Sequence, residues 1–367
     1  MFGDYYQGKR VLVTGHSGFK GGWLSLWLKE LGAKVLGISL APSTAPNLYE
    51  VVASHALEQD IICDIRDSDR LARQVESLKP DVIFHLAAQP IVRLSYESPL
   101  ETFQTNALGT AHLLEAVRRA GLGCVVVIIT SDKCYENREW EFAYRENDPL
   151  GGHDVYSMSK AATELVAQSW RRSFFQPDPR LGPLATARAG NVIGGGDYAP
   201  DRIVPDCVRA LIHRQPILVR NPLAIRPWQH VLECLSGYLW LAASLAREGK
   251  TSALAGAFNF GPEPSSRQPV RRLVEEILRV WPGSWVDGSR ADSPHEARLL
   301  ALTIDKAAAM LGWRPCWDFE EAIQHTVAWY HQRHVINHSD MLQFSITQLR
   351  DYVQTARRKN LIWTQPS

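Results

Sequence analysis

Tyr156 and Lys160 stand four residues apart, with Ser157-Met158-Ser159 between them. On a helix that spacing puts both side chains on one face. An ammonium beside a phenol favours the phenolate, because an opposite charge within a few ångströms lowers an acid's pKa. The pair is therefore a proton acceptor for an alcohol about to lose a hydride. Upstream, Thr130-Ser131-Asp132-Lys133 closes an apolar run with a hydroxyl, an acid and an amine. Alcohol oxidation needs only the first pair. The second group points to further proton transfers.

Those residues need a scaffold. The first half of the chain alternates short β-branched runs with longer amphipathic stretches. Strands are expected over 11–13, 35–40, 60–63, 81–86, 125–129 and 184–189. Trp23, Leu24, Trp27, Leu28 and Leu31 recur at helical spacing. A second helix is expected over 102–120, and a third carries Tyr156 and Lys160. Continuous apolar strands alternating with helices imply an α/β fold with a doubly wound parallel sheet, covered on both faces. After residue 190 the pattern loosens. Gly194-Gly195-Gly196 breaks the chain, and prolines 200, 205, 216, 222 and 227 punctuate it. That composition suits a smaller, loop-rich lobe closing over a ligand. A further strand is expected over 257–260, with helices over 270–280 and 307–311. The division is then a nucleotide domain over 1–190 with a return segment near 228–258. A second lobe follows from 191–227 and 259–353, and a basic tail from 354–367. The run Ala356-Arg357-Arg358-Lys359-Asn360 reads as a frayed, solvated end.

Composition narrows the partners. The 367 residues are 45% hydrophobic and 22% charged, with a formal net charge of +1. Nothing in that balance calls for nucleic acid or a membrane surface. The six cysteines, at 63, 124, 134, 207, 234 and 316, form no CxxC pair and have no histidine at zinc spacing. They read as reduced thiols of a cytoplasmic chain, without a metal site. The first residues lack the basic and apolar regions of a signal peptide. The longest apolar run, 125–129, is too short to span a bilayer.

Between the first strand and first helix lies Thr14-Gly15-His16-Ser17-Gly18-Phe19-Lys20-Gly21. Glycines there permit a tight turn and close backbone approach to a pyrophosphate, with the helix N-terminus aimed at the anion. Asp64, followed by Ile65, ends the third strand. It either accepts from an adenine amino group or caps a helix over 66–78. His85-Leu86-Ala87-Ala88-Gln89 ends the fourth strand with small residues that leave room for a cofactor. The second strand ends Ile38-Ser39-Leu40-Ala41, with neither an acid for a ribose 2′-hydroxyl nor an adjacent arginine for a 2′-phosphate. By that rule NAD and NADP both stay open.

The glycine turn, Asp64-Ile65, the 85–89 segment and the Tyr156/Lys160 pair together resemble extended short-chain dehydrogenases/reductases acting on nucleotide sugars. Within that group the likeness sharpens to the CDP-glucose 4,6-dehydratases. It is carried by Gly15 through Gly21, by 130–137, 188–197 and 226–231, and by Pro294-His295-Glu296-Ala297. It runs from about residue 8 to about 353. Dehydratases of the dTDP-glucose and GDP-mannose types usually carry Asp-Glu where this chain has Asp132-Lys133, and the CDP-glucose branch has lysine. Thr303 stands where that family has an acid.

The resemblance implies a Rossmann lobe, NAD, a C-terminal substrate-binding lobe and a hydro-lyase reaction. That reaction converts CDP-D-glucose to CDP-4-dehydro-6-deoxy-D-glucose, a step of deoxysugar and O-antigen biosynthesis. It makes Tyr156 the base at the C4 hydroxyl and Lys160 its partner on the nicotinamide ribose. Ser131 would bond the C4 oxygen, Lys133 would take the C5 proton, and Asp132 would donate to the leaving 6-hydroxyl. The cofactor would meet Gly15, Ser17, Gly18, Phe19, Lys20, Gly21, Asp64, Ile65, Leu86, Ala87, Ala88 and Thr130, besides Tyr156 and Lys160. Asn191, Arg202 and Arg226 would hold the substrate phosphates, with His295 and Glu296 at its ribose or base. The helices over 102–120 and 156–173 resemble those that pair in homodimers of this family. The rival readings are a nucleotide-sugar 4-epimerase, a GDP-mannose-type dehydratase and a catalytically silent dinucleotide sensor.

Overall fold

Six apolar runs of the first half become parallel strands because their side chains are apolar toward both faces. The structure, a computed structural model, describes residues 1–289 and 299–365. The strands are β1 (Arg10–Thr14), β2 (Lys34–Ser39), β3 (Gln59–Ile62), β4 (Val82–His85), β5 (Val125–Ile129) and β6 (Leu184–Arg188). A seventh, β7 (Ala257–Asn259), joins them late in the chain. Their spatial order is β7-β6-β5-β4-β1-β2-β3, and every pairing is parallel. Alternation along each strand feeds two cores. Val11, Val13, Val125, Val127 and Ile129 enter one, and Leu12, Val126 and Ile128 the other. The order reverses between β1 and β4, so a crevice opens beyond the C-terminal ends of those strands. Thr14 and His85 face each other there in register.

Three helices position the candidate residues. Phe19–Glu30 follows the glycine turn and is buried along most of its length, with Trp23 and Trp27 fully enclosed. The helix expected over 102–120 is broken into three parts. An α-turn over Pro99–Phe103 passes into a π-turn over Gln104–Leu108, then into α-helix over Gly109–Ala120. A π-turn inserts one residue and re-aims what it carries. Here it carries Asn106, which hydrogen-bonds Ser159 on the tyrosine helix at 2.8 Å. That helix spans Val155–Trp170 and is capped by Asp154, whose carboxylate accepts from the Ser157 N–H at 2.8 Å.

Beyond β6 the chain makes small two-stranded pairs instead of extending the sheet. Val192–Ile193 pairs with Gln229–His230, and Ile225–Pro227 lies antiparallel to Arg267–Pro269. The long helix Val231–Glu248 then returns to the core and leads to β7.

The C-terminal segment differs from its expected frayed end. Met341–Arg358 is one helix, and Trp363 beyond it is completely buried. Arg357, Arg358 and Lys359 are exposed, as a charge run should be. The anchoring side chains lie before and beyond them, at Ala356 and Trp363. Trp363 stacks on Phe2 at 5.2 Å and lies edge-on to Trp27 at 5.8 Å.

A second fastening is the buried carboxylate of Glu233. It accepts from the Cys316 and Trp317 N–H groups at 2.7 and 2.6 Å and from the Tyr352 hydroxyl at 2.9 Å. Burial pushes this carboxyl up to about 7, against the pull of those donors. Glu233→Gln keeps the shape but turns an NH2 toward a backbone donor. It is expected to lower stability by about 1–3 kcal/mol, the cost of a buried group left unsatisfied. An unchanged urea midpoint for the purified variant would show that the clamp contributes nothing.

Candidate active site

The glycine turn has no room for side chains at two positions. Gly15 has φ +76°, and a Cβ there would lie 2.7 Å from the Ala87 nitrogen. A Cβ on Gly21 would lie 2.1 Å from the Gly15 carbonyl oxygen. Gly18 caps the helix Phe19–Glu30 with no side chain on the first-turn N–H groups. A bare helix start under a close-packed turn fits a dinucleotide pyrophosphate. Ser17 bonds Ser39 Oγ at 2.6 Å and donates to the Leu40 carbonyl at 2.8 Å, tying the turn to the end of β2. Leu86, Ala87 and Ala88 are half-buried at the end of β4. The Ala87 N–H donates to Thr14 Oγ1 at 3.3 Å. Phe19 and Lys20 are half-buried in the first turn of the helix.

Asp64 does not cap the next helix. That helix spans Ser68–Leu78, and Asp67 caps it by accepting from the Arg70 N–H. Asp64 is gripped by Arg66, whose side-chain hydrogen bonds hold its carboxyl below the ordinary range against burial. Ile65 is buried, and a Cβ on Gly109 would lie 2.6 Å from its Cδ1. His85 is enclosed between Thr14 at 2.7 Å and Thr110 at 3.1 Å. Burial, then Lys160, brings its pKa down to about 3, so the imidazole is neutral.

Ser131, Asp132, Tyr156 and Lys160 come together as buried polar groups where β5 ends against the tyrosine helix. The Ser131 hydroxyl donates to Asp132 Oδ1 at 3.0 Å and stands close enough to Tyr156 to pull its pKa down. Asp132 Oδ2 is buried with no partner. It occupies the space beside Gly190, where a Cβ would lie 1.8 Å away. Burial pushes the Tyr156 phenol up to about 12, and the leading downward pulls come from Ser131 and Arg202. Lys160, the partner expected from spacing, is not among those pulls. Burial and then the Lys20 ammonium bring Lys160 down to about 8. Lys133 is half-buried on the turn Asp132–Cys134 and forms no ion pair with Asp132. Among the described residues, the ammonium groups of Lys20, Lys133 and Lys160 have no hydrogen-bond partner.

The remaining candidates are more dispersed. Arg202 pairs with Asp197 at 2.7 Å while acting on Tyr156. Asn191 adopts φ +47°, and its carbonyl accepts from the Gln229 N–H at 3.3 Å. Arg226 is buried in the Ile225–Pro227 strand. Thr130 turns its hydroxyl to Glu164. His295 and Glu296 lie outside the described residues.

Two residues of this neighbourhood escaped the sequence reading. Asn106 accepts from the Gln89 N–H at 2.8 Å and holds Ser159, bridging the β4 loop to the tyrosine helix. Glu164 sits two turns after Tyr156 on its helix. It accepts from Thr186 at 2.7 Å and Arg188 at 2.8 Å as well as from Thr130. Burial opposes ionisation there, but the Arg188 pair and these donors keep its carboxyl below the ordinary range. The i, i+4, i+8 series Tyr156, Lys160, Glu164 was a usable signal for it. Nothing local marked Asn106.

Among the described residues no cluster of His, Cys, Asp or Glu could hold a metal ion, and no helix is long and apolar enough to cross a membrane. All six cysteines are free and buried.

Comparison with known proteins agrees with this geometry. Over 361 residues the chain is 48% identical to the CDP-glucose 4,6-dehydratase of Salmonella typhimurium, covering 97% of this chain and 99% of that one. It is 32% identical over 327 residues to the dTDP-glucose 4,6-dehydratase of Streptomyces antibioticus, covering 87% and 92% of the two chains. Among solved structures it is similar to the dTDP-glucose 4,6-dehydratase DesIV of Streptomyces venezuelae, solved with NAD bound. The TM-score is 0.76 at 25% identity, over 88% of this chain and 97% of that one. Residues 11–259 match the family model described as the NAD dependent epimerase/dehydratase family. With a Rossmann-ordered sheet, a glycine turn fitted to a dinucleotide and Ser131, Tyr156 and Lys160 assembled beside it, the chain belongs to the NAD dependent epimerase/dehydratase family.

Proposed function

We propose that the protein binds NAD and dehydrates CDP-D-glucose to CDP-4-dehydro-6-deoxy-D-glucose, as a hydro-lyase of deoxysugar biosynthesis. The observation that carries the reading is a second proton-transfer pair beside the oxidation pair. Asp132, with a buried free oxygen, adjoins the unpaired Lys133, next to Ser131 and Tyr156. An epimerase has no use for acid and base at C5 and C6. The 48% identity to a CDP-glucose 4,6-dehydratase supports the choice of substrate.

NAD, when bound, supplies the hydride acceptor for C4 and the donor for C6. Gly15, Ser17, Gly18, Phe19, Lys20 and Gly21 would hold its pyrophosphate end. Asp64, Ile65, Leu86, Ala87 and Ala88 would line the rest, and the unpaired Lys160 ammonium would take a ribose hydroxyl. Tyr156 removes the C4 hydroxyl proton while Ser131 bonds the same oxygen. The resulting ketone acidifies the C5 proton. Lys133 would accept that proton as general base, and Asp132 would donate to the departing 6-hydroxyl as general acid. Arg202, Arg226 and Asn191 would receive the diphosphate, since a guanidinium fork matches phosphate oxygens. A homodimer in the cytoplasm completes the reading, with O-antigen sugars as one destination of the product. Leu100, Leu108, Met158 and Leu165, all exposed on the paired helices, would form its apolar seam.

The test is a deuterium label at substrate C4. It should reappear at product C6, with no net NADH accumulating. Stoichiometric NADH release would mean an ordinary dehydrogenase. Turnover of UDP-glucose, dTDP-glucose or GDP-mannose in preference to CDP-glucose would overturn the choice of base.

A further inference from the structure

At the β7 edge of the sheet lies a cavity of about 730 Å³, a size suited to a small-molecule ligand. Its lining includes the cations Arg145, Arg171, Arg188 and Lys306, the carboxylates Glu146, Asp148, Glu164 and Asp305, and none of the catalytic or cofactor candidates. Arg171 follows directly on the tyrosine helix and is only 9% exposed. Its guanidinium makes no hydrogen bond or ion pair among the described residues. Glu164, the carboxylate that pulls on it most, already serves Thr130, Thr186 and Arg188. Arg188 spends its terminal nitrogens on Tyr135, the Glu146 carbonyl and Glu164. Its Nε–H is buried with no partner. The other cations of the lining are engaged: Arg145 pairs with Asp148 at 3.4 Å, and Lys306 donates to the Ala257 carbonyl at 2.8 Å.

The Arg171 guanidinium feels Glu164 but, among the described residues, is hydrogen-bonded to no carboxylate. Such a group becomes favourable when an anion fills the cavity beside it. The planar fork prefers an oxyanion that accepts two parallel hydrogen bonds. We propose that this cavity is a second ligand site, which takes the phosphate of a small phosphomonoester on Arg171. The volume beyond the phosphate is room for an organic body of sugar size.

Calorimetry on the full chain, with NAD and CDP at saturation to fill the catalytic crevice, tests this. Inorganic phosphate and glucose 1-phosphate are titrated separately. One saturable site is expected, weakened by at least about 10-fold in Arg171→Gln, the scale of a lost charge-assisted pair. Arg171→Lys keeps the charge and should lose less. Thermal unfolding adds a readout independent of the catalytic reading. Added phosphate should raise the wild-type midpoint and leave that of Arg171→Gln unmoved. Tighter binding of glucose 1-phosphate than of phosphate assigns the remaining volume to the sugar. Equal binding assigns the site to the bare anion. Absence of saturable heat through the millimolar range overturns the proposal, as do equal affinities in wild type, Arg171→Gln and Arg171→Lys.

Discussion

Tyr156→Phe should cost turnover about 10²–10⁴-fold, the usual contribution of a positioned acid–base group. Sugar-nucleotide binding should hardly change. The ring is 7% exposed and its packing survives the substitution. Ser131 retains Asp132 as a partner. What disappears is the oxygen that takes the C4 proton. Burial raises that phenol to about 12, so its ionised form is scarce near neutrality. The oxidation step should therefore speed up with rising pH while Lys160, brought down to about 8, still carries its charge. Above that value the cation fades and the gain should level off. Single-turnover rates between pH 6 and 8 check the sign. A folded Tyr156→Phe sample with near-wild-type turnover would remove the tyrosine from the chemistry.

Lys133→Met separates the two halves of the reaction. Methionine approximates the lysine's length and cannot accept a proton. The variant should still oxidise C4, forming NADH within the site on addition of CDP-glucose. It should then stall, with elimination slowed about 10²–10⁴-fold and little solvent exchange at C5. A Lys133 that only pairs with Asp132 or with a substrate oxygen would leave C5 exchange intact in this variant. Lys133 and Asp132 form no ion pair, and Asp132 spends one oxygen on Ser131 and leaves the other free. Exchange at C5 at the wild-type rate in Lys133→Met would assign the base to another group.

The parallel sheet was legible because a strand buried on both faces needs an uninterrupted apolar run, and runs such as 125–129 have no other use. The tyrosine–lysine spacing was legible because a helix fixes it locally. Asn106 was not, since its role depends on a π-turn, and amphipathic periodicity over 102–120 reads as a straight helix. The fate of Asp64 turned on whether the helix began at 66 or 68, a difference of two residues that composition does not resolve. Arg171 looks like an ordinary surface charge in the sequence, while Arg188 falls within the apolar strand expected over 184–189. Arg188 is covered by the Glu146 carbonyl and by pairing with Asn259 of β7, contacts between segments separate in sequence. The basic end misled in the opposite sense. Its charges do face water, while Trp363, just past them, is the residue that fixes the segment.

The aromatic cluster of Phe2, Trp27, Tyr352 and Trp363 also bears on how the polypeptide is made. The glycine-turn helix is among the first elements to leave the ribosome; of the rings packed on Trp27, Phe2 precedes it and Tyr352 and Trp363 are among the last. During synthesis the nascent nucleotide-binding unit therefore presents an apolar helix face that lacks its C-terminal cover and has Phe2 alone of these rings. Chaperone engagement would be needed over that interval. A message truncated before Tyr352 would yield a product with its sheet strands complete and an adhesive surface, destined for aggregation or proteolysis.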